Sequence, residues 1–149
     1  MKIVLFNPEI PQNTGNVIRT CSVTETPLVL VEPLGFSLSN RQLKRAGMDY
    51  FEGVNVEIIP NLEDYLVNQN SFYFFSSKAS KFYHEVEYEE GDLLIFGSES
   101  KGLPDHFHEK YPERFLKVPM KPGKRCLNLA TTVGIALFEA LRQMNFKGF

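Results

Sequence analysis

Four apolar residues, Leu93-Leu94-Ile95-Phe96, run without a polar interruption into Gly97-Ser98-Glu99-Ser100-Lys101-Gly102-Leu103-Pro104. A strand with one face in water alternates apolar and polar residues. A run with no alternation must be covered on both faces, as strands in a parallel sheet are. Lys2 to Phe6, Leu28-Val29-Leu30-Val31 and Phe72-Tyr73-Phe74-Phe75 have the same character. Each stops sharply, at Asn7-Pro8, at Glu32-Pro33 and at Ser76-Ser77-Lys78. Val54 to Ile59 and Phe115-Leu116-Lys117-Val118 add two more expected strands. Gly97 and Gly102 let the backbone after the 93–96 run turn sharply or come close to a ligand.

Helical segments fill the intervals. Asn13 suits the cap of a helix that turns Val17, Ile18 and Cys21 inward and ends near Thr26-Pro27. A short basic helix is expected over 39–46, stopped by Gly47, and another after Asn61 through Leu62, Tyr65 and Leu66. Pro104 suits the first turn of a helix ended by Pro112. Asn128 caps a long one whose stripe Leu129, Val133, Ala136, Leu137, Ala140, Leu141 and Met144 has helical period. Strand and helix alternate, so the expected fold is α/β, a mostly parallel sheet with helices on both faces.

A chain of 149 residues is expected to form one domain, with about 70% of its unfolded surface buried. No run of the sequence approaches a membrane span, and the N-terminal apolar run is too short for a targeting peptide. Cys21 and Cys126 lie far apart, which fits a reducing compartment and a cytoplasmic protein. His84, His106 and His108 have no companions at metal spacing, so no metal is expected. The formal charge of −2 argues against nucleic-acid binding by bulk positive charge, and by charge alone the basic stretches read as solvated faces. Still, Arg41, Lys44 and Arg45 cluster, and Lys117, Lys121, Lys124 and Arg125 have no acid among them. Such local patches can track a phosphate backbone.

Three strand ends carry chemistry: Ser76-Ser77-Lys78, the 97–103 loop and the 119–128 loop. In a parallel sheet they share one edge, where converging backbone groups can hold a small ligand. The turn at Asn13-Thr14-Gly15-Asn16, at a helix N-terminus with Arg19 one turn on, suits a phosphate. Gly97 to Gly102 has P-loop glycine spacing, but Leu103-Pro104 stand where Lys and Ser or Thr would reach phosphates and magnesium. No G-x-G-x-x-G follows a strand, so a Rossmann dinucleotide site is not supported.

The residues also carry a resemblance. Pro8-Glu9-Ile10-Pro11-x-Asn13-Thr14-Gly15-Asn16 with Arg19, Arg45-Ala46-Gly47-x-Asp49-Tyr50, Phe96-Gly97-x-Glu99-x-x-Gly102-Leu103-Pro104, and Pro119-Met120 with Arg125-x-Leu127-Asn128-Leu129 stand in order. The chain resembles the SPOUT superfamily of RNA methyltransferases, and within it the single-domain tRNA wobble-nucleotide 2′-O-methyltransferases. The resemblance implies a C-terminal deep trefoil knot, which base rates would never predict. It implies S-adenosylmethionine as cofactor, S-adenosylhomocysteine as product, a homodimer with a shared active site, and the anticodon region of tRNA as partner.

Carried over by motif, the cofactor-binding positions are Phe75, Ser76, Ser77, Gly97, Glu99, Leu103, Val118, Met120, Cys126, Leu127 and Asn128, and the catalytic residue is Arg19. Asn13, Arg41, Arg45, Lys124 and Arg125 are the expected RNA contacts. Glu99 is either functional in itself or a carboxylate that satisfies backbone donors. Where relatives commonly show Arg-Ser-(Leu or Met)-Asn-Leu-Ser-Asn, this chain has Arg125-Cys126-Leu127-Asn128-Leu129-Ala130-Thr131. The departures leave a competing expectation, a catalytically silent knotted RNA-binding homodimer; retention of Arg19 and Glu99 favours the enzyme.

Overall fold

A computed structural model describes residues 1–37 and 53–149. The basic helix expected over 39–46, with Arg41 and Arg45, lies outside the described residues. The chain runs β1 (Lys2–Phe6), α1 (Pro11–Val23), β2 (Leu28–Val31), β3 (Val56–Ile59), α2 (Leu62–Leu66), β4 (Phe72–Phe75), β5 (Lys81–Phe82), β6 (Leu93–Phe96), α3 (Asp105–Lys110), a 3-10 turn over Pro112–Arg114, β7 (Phe115–Lys117) and α4 (Leu129–Gln143). The strands form one sheet in the order β3-β2-β1-β6-β4-β7-β5, and every pairing between these strands is parallel.

β1 lies between β2 and β6, with Leu5 opposite both Leu30 and Phe96. From β1 the chain builds outward through β2 and β3, then returns to build the other half from β4 onward. The strand order therefore reverses at β1 and β6. Outside the carboxyl ends at such a reversal, loops diverge and leave a crevice.

Side chains of successive strand residues go to opposite faces. Ile3, Leu5, Leu28, Leu30, Leu94 and Phe96 pack under α1 and α4, against Val17, Ile18, Cys21, Val133, Ala136, Leu137 and Ala140. Val4, Val29, Val31, Phe72, Phe74, Leu93 and Ile95 pack on the other face under α2 and α3, against Leu62, Leu66 and Phe107. The expected helix stripe is thus core. Phe74 is fully buried, stacked on Phe115 at 4.8 Å between ring centres and tilted against Phe107 at 5.3 Å. Burying a side chain of this size stabilises by about 1.5–3 kcal/mol.

The elements depart from expectation at a few ends. Helix α1 starts at Pro11, not after an Asn13 cap, and Ile10 precedes it without a side-chain cap bond. Proline loses nothing in the first turn, where its missing N–H would be unpaired anyway. Asn61 and Asn128 do cap: Asn61 accepts from Asp64 N, and Asn128 from Ala130 N and Thr131 N. Pro104 stands just before α3 rather than inside it. β5, two residues at the sheet edge paired to β7, was not foreseen, because two residues carry no periodicity. Among the described residues no helix is long and apolar enough to cross a membrane.

Candidate active site

β6, β4 and β7 are consecutive in the sheet, and the loops leaving their carboxyl ends enclose a cavity of about 460 Å³. That volume suits a small organic ligand. All of Phe75, Ser76, Ser77, Gly97, Glu99, Leu103, Val118, Met120, Cys126, Leu127 and Asn128 line it. The apolar part is set by Phe75 and Phe96, whose rings stack at 4.6 Å, with Leu103 and Leu116 beside them. Ile10, Asn13 and Thr132, from outside the three expected loops, also line the cavity.

The β6 loop is a tight return. Ser98 N donates to Gly102 O at 3.1 Å, and Gly102 N to Ser98 O at 2.9 Å. Gly102 has φ of 70°, and a Cβ at Gly97 would overlap the backbone of Gly102 and Leu103. Both glycines therefore serve the loop's fold on itself, the sharp-turn use of glycine rather than the ligand-approach one.

Glu99, at the tip of that loop, braces the start of α1. Its carboxylate accepts from Glu9 N at 2.8 Å, Ile10 N at 3.1 Å and Asn13 Nδ2 at 3.0 Å. Glu9 returns the favour, accepting from Ser100 N at 2.9 Å and Ser100 Oγ at 2.7 Å. Asn13 Oδ1 accepts from Asn128 Nδ2 at 2.8 Å, and Asn128 Oδ1 holds the first turn of α4. One chain of hydrogen bonds thus joins the β6 loop, α1 and the N-terminus of α4. Glu99 thus accepts from two backbone donors of the loop after β1 and also lines the cavity.

Asn13, expected as an RNA contact, is buried at the cavity wall, where its side-chain amide donates to Glu99 Oε1 and accepts from Asn128 Nδ2. Lys124 and Arg125 are exposed on the loop before α4 and do not line the cavity. Arg19 is exposed on α1, away from the inward stripe of Val17, Ile18 and Cys21, and it does not line the cavity of its own chain.

Cys126 donates its thiol to Ser77 Oγ at 3.3 Å, tying the last loop to the β4 loop across the cavity mouth. Ala130 and Thr131 give the Asn128 cap only their backbone N–H groups, so their side-chain departures leave the cap intact. Burial, and after it the charge of Lys78 at the cavity rim, lowers the pKa of His108, which stacks on Phe115.

The profile of the SpoU rRNA Methylase family matches residues 1–138. The chain belongs to this family. Among SpoU-type relatives, a tRNA (cytidine(34)-2′-O)-methyltransferase of Methylovorus glucosotrophus is 44% identical, covering 98% of this chain and 97% of that protein. A tRNA (cytidine(34)-2′-O)-methyltransferase of Saccharophagus degradans is likewise 44% identical, with the same coverage. A solved structure from work on 2-OH methylation of C/U34 on tRNA superposes with a TM-score of 0.91 at 41% identity, covering 98% of this chain and 97% of that one. The methyltransferase AviRb of Streptomyces viridochromogenes, solved with AdoMet, shares the fold alone, with a TM-score of 0.85 at 16% identity over all of this chain and 59% of that one.

Proposed function

We propose that this chain is an S-adenosylmethionine-dependent tRNA 2′-O-methyltransferase that modifies the ribose of the wobble nucleotide, cytidine or uridine. The observation that carries the reading is the cavity at the ends of β4, β6 and β7, lined by all eleven residues that the resemblance implied for the cofactor. Near-full-length relatives named for cytidine-34 methylation supply the substrate.

The lining fits an adenosyl group. Phe75, Phe96, Leu103 and Leu116 give the lining its apolar part, and the loops after β4, β6 and β7 give the rest. The Glu99 carboxylate in this lining accepts from Glu9 N, Ile10 N and Asn13 Nδ2. When bound, S-adenosylmethionine supplies a methyl on a positively charged sulfur and leaves as S-adenosylhomocysteine. The protein's task is to align the 2′-oxygen behind that methyl. As the oxygen–carbon bond forms and the sulfur–carbon bond breaks, the hydroxyl proton leaves to phosphate or water. A guanidinium stays protonated in proteins, so Arg19 binds the neighbouring phosphate and orients the hydroxyl rather than acting as base.

Arg19 does not line its own cavity, which supports a homodimer in which Arg19 of a second copy completes the site. In the same reading the segment from Val118 to Asn128 passes through the preceding loop as a deep trefoil knot, and residues 1–149 serve as one domain. Lys124 and Arg125, with Arg41 and Arg45, meet the tRNA backbone in the cytoplasm, where the substrate is found.

Calorimetry with S-adenosylhomocysteine and label transfer from S-adenosylmethionine to unmodified tRNA test this together. Binding with transfer is expected; binding without transfer indicates the silent dimer. Arg19→Ala should cut turnover about a hundredfold or more with cofactor affinity almost unchanged. Equal loss of both refutes its role.

A further inference from the structure

The β6 loop partitions two cavities. On its other side, outside the ends of β2, β1 and β6, lies a second one of about 730 Å³. Its apolar surfaces are Phe6, Leu34, Leu103 and Pro104, and its polar group at the end of β1 is Asn7. Lys78, Ser98, Lys101, Gly102 and Leu103 line both cavities, so the two meet along the partition. Glu9 and Asp105 line it too, so its wall carries two ammonium groups and two carboxylates beside the apolar surface, a mixed lining that suits a small polar ring compound.

Asn7 has a φ of 45°, a left-handed turn that asparagine tolerates better than most non-glycine residues. Its Nδ2 donates to Val31 O and Pro33 O, both at a long 3.4 Å. With the amide nitrogen facing those carbonyls, Oδ1 is the open end, and it accepts nothing among the described residues. Rotating the amide would set oxygen against two carbonyl oxygens.

We propose that this second cavity seats the base of the wobble pyrimidine, with the ribose toward the partition, and that Asn7 favours cytidine over uridine. This inference rests on the wobble-methyltransferase reading above. Cytosine presents an N4 amino donor where uracil presents the O4 acceptor. Against Asn7 Oδ1 the first makes a hydrogen bond, and the second sets lone pair against lone pair. Asn7 is thus a specificity-determining residue; it has no part in the transfer itself.

The test uses the full chain with two unmodified tRNAs that differ only in carrying C34 or U34. The wild type should favour C34 in kcat/KM by about tenfold, the size of one neutral hydrogen bond. Asn7→Gly keeps the left-handed turn without cost and should bring the ratio near one, through a higher KM on C34, with affinity for S-adenosylhomocysteine unchanged. Asn7→Asp retains the acceptor and should keep the preference. A wild-type ratio already near one, or a ratio unmoved by Asn7→Gly, overturns the role of Asn7. Transfer to neither tRNA refutes the methyltransferase reading and this inference with it.

Discussion

Removing the Glu99 carboxylate should loosen three loops at once. In Glu99→Ala three donors lose their acceptor: Glu9 N and Asn13 Nδ2, both part-buried, and Ile10 N, which is exposed. Water replaces the acceptor for Ile10 at little cost. The other two are bonds to a charged group, each worth about 1.5 kcal/mol at the low end of the usual range, for a total of about 3 kcal/mol. For a chain of this length that lowers Tm by about 6–12 °C. Glu99→Gln keeps Oε1 for Ile10 and Asn13 but turns an NH₂ toward Glu9 N, so it should cost about 1 kcal/mol. Ile10 and Asn13 also form cavity wall, so affinity for S-adenosylhomocysteine should fall in the same order, Gln before Ala. Calorimetric melting and cofactor titration on wild type, both variants, Asn13→Ala and the Glu99→Ala/Asn13→Ala pair provide the assay. A network requires the double change to cost less than the sum of the singles by well over 0.5 kcal/mol. Additivity, or loss of cofactor affinity with no change in Tm, would refute bracing and make Glu99 a direct ligand.

Three further outcomes follow from the geometry. Burial pushes the Cys21 thiol up to about 12, whereas Cys126 is exposed at the cavity mouth, so iodoacetamide should label Cys126 alone, and saturating S-adenosylhomocysteine should slow it; peptide mass spectrometry reads both. Arg142, then Gln143, hold the Glu139 carboxyl at about 2 against an ordinary 4.5, so its contribution is present above about pH 4.5 and is lost as pH falls through 2. Glu139→Gln should therefore melt below wild type at pH 7, with the gap closing on acidification. Gly97→Ala drives a Cβ into the Gly102-Leu103 backbone, so the β6 loop should open at a cost of about 1–3 kcal/mol and cofactor affinity should drop; unaltered affinity would contradict the tight return.

The sheet was legible because parallel strands buried on both faces leave unbroken apolar runs. Leu28–Val31, Phe72–Phe75 and Leu93–Phe96 begin and end where those runs do. Convergence of the 76–78, 97–103 and 119–128 loops followed from parallel topology, since their strands end on one edge. Asn13 shows the limit. By type and position it reads as a cap, yet Pro11 opens the helix and the Asn13 amide is drawn into contacts with Glu99 and Asn128, 86 and 115 residues away. Long-range hydrogen bonds leave no periodicity behind. The Glu9 and Ser100 pairing was invisible for the same reason, although both lie inside recognised motifs.

The most direct test of the account is the position of the methyl group. Unmodified tRNA treated with the protein and S-adenosylmethionine, then digested and sequenced by mass spectrometry, should carry one new methyl, on the ribose of nucleotide 34, with an alkali-resistant linkage on its 3′ side. A methyl on a base or at another nucleotide, or none despite measured cofactor binding, would contradict the account.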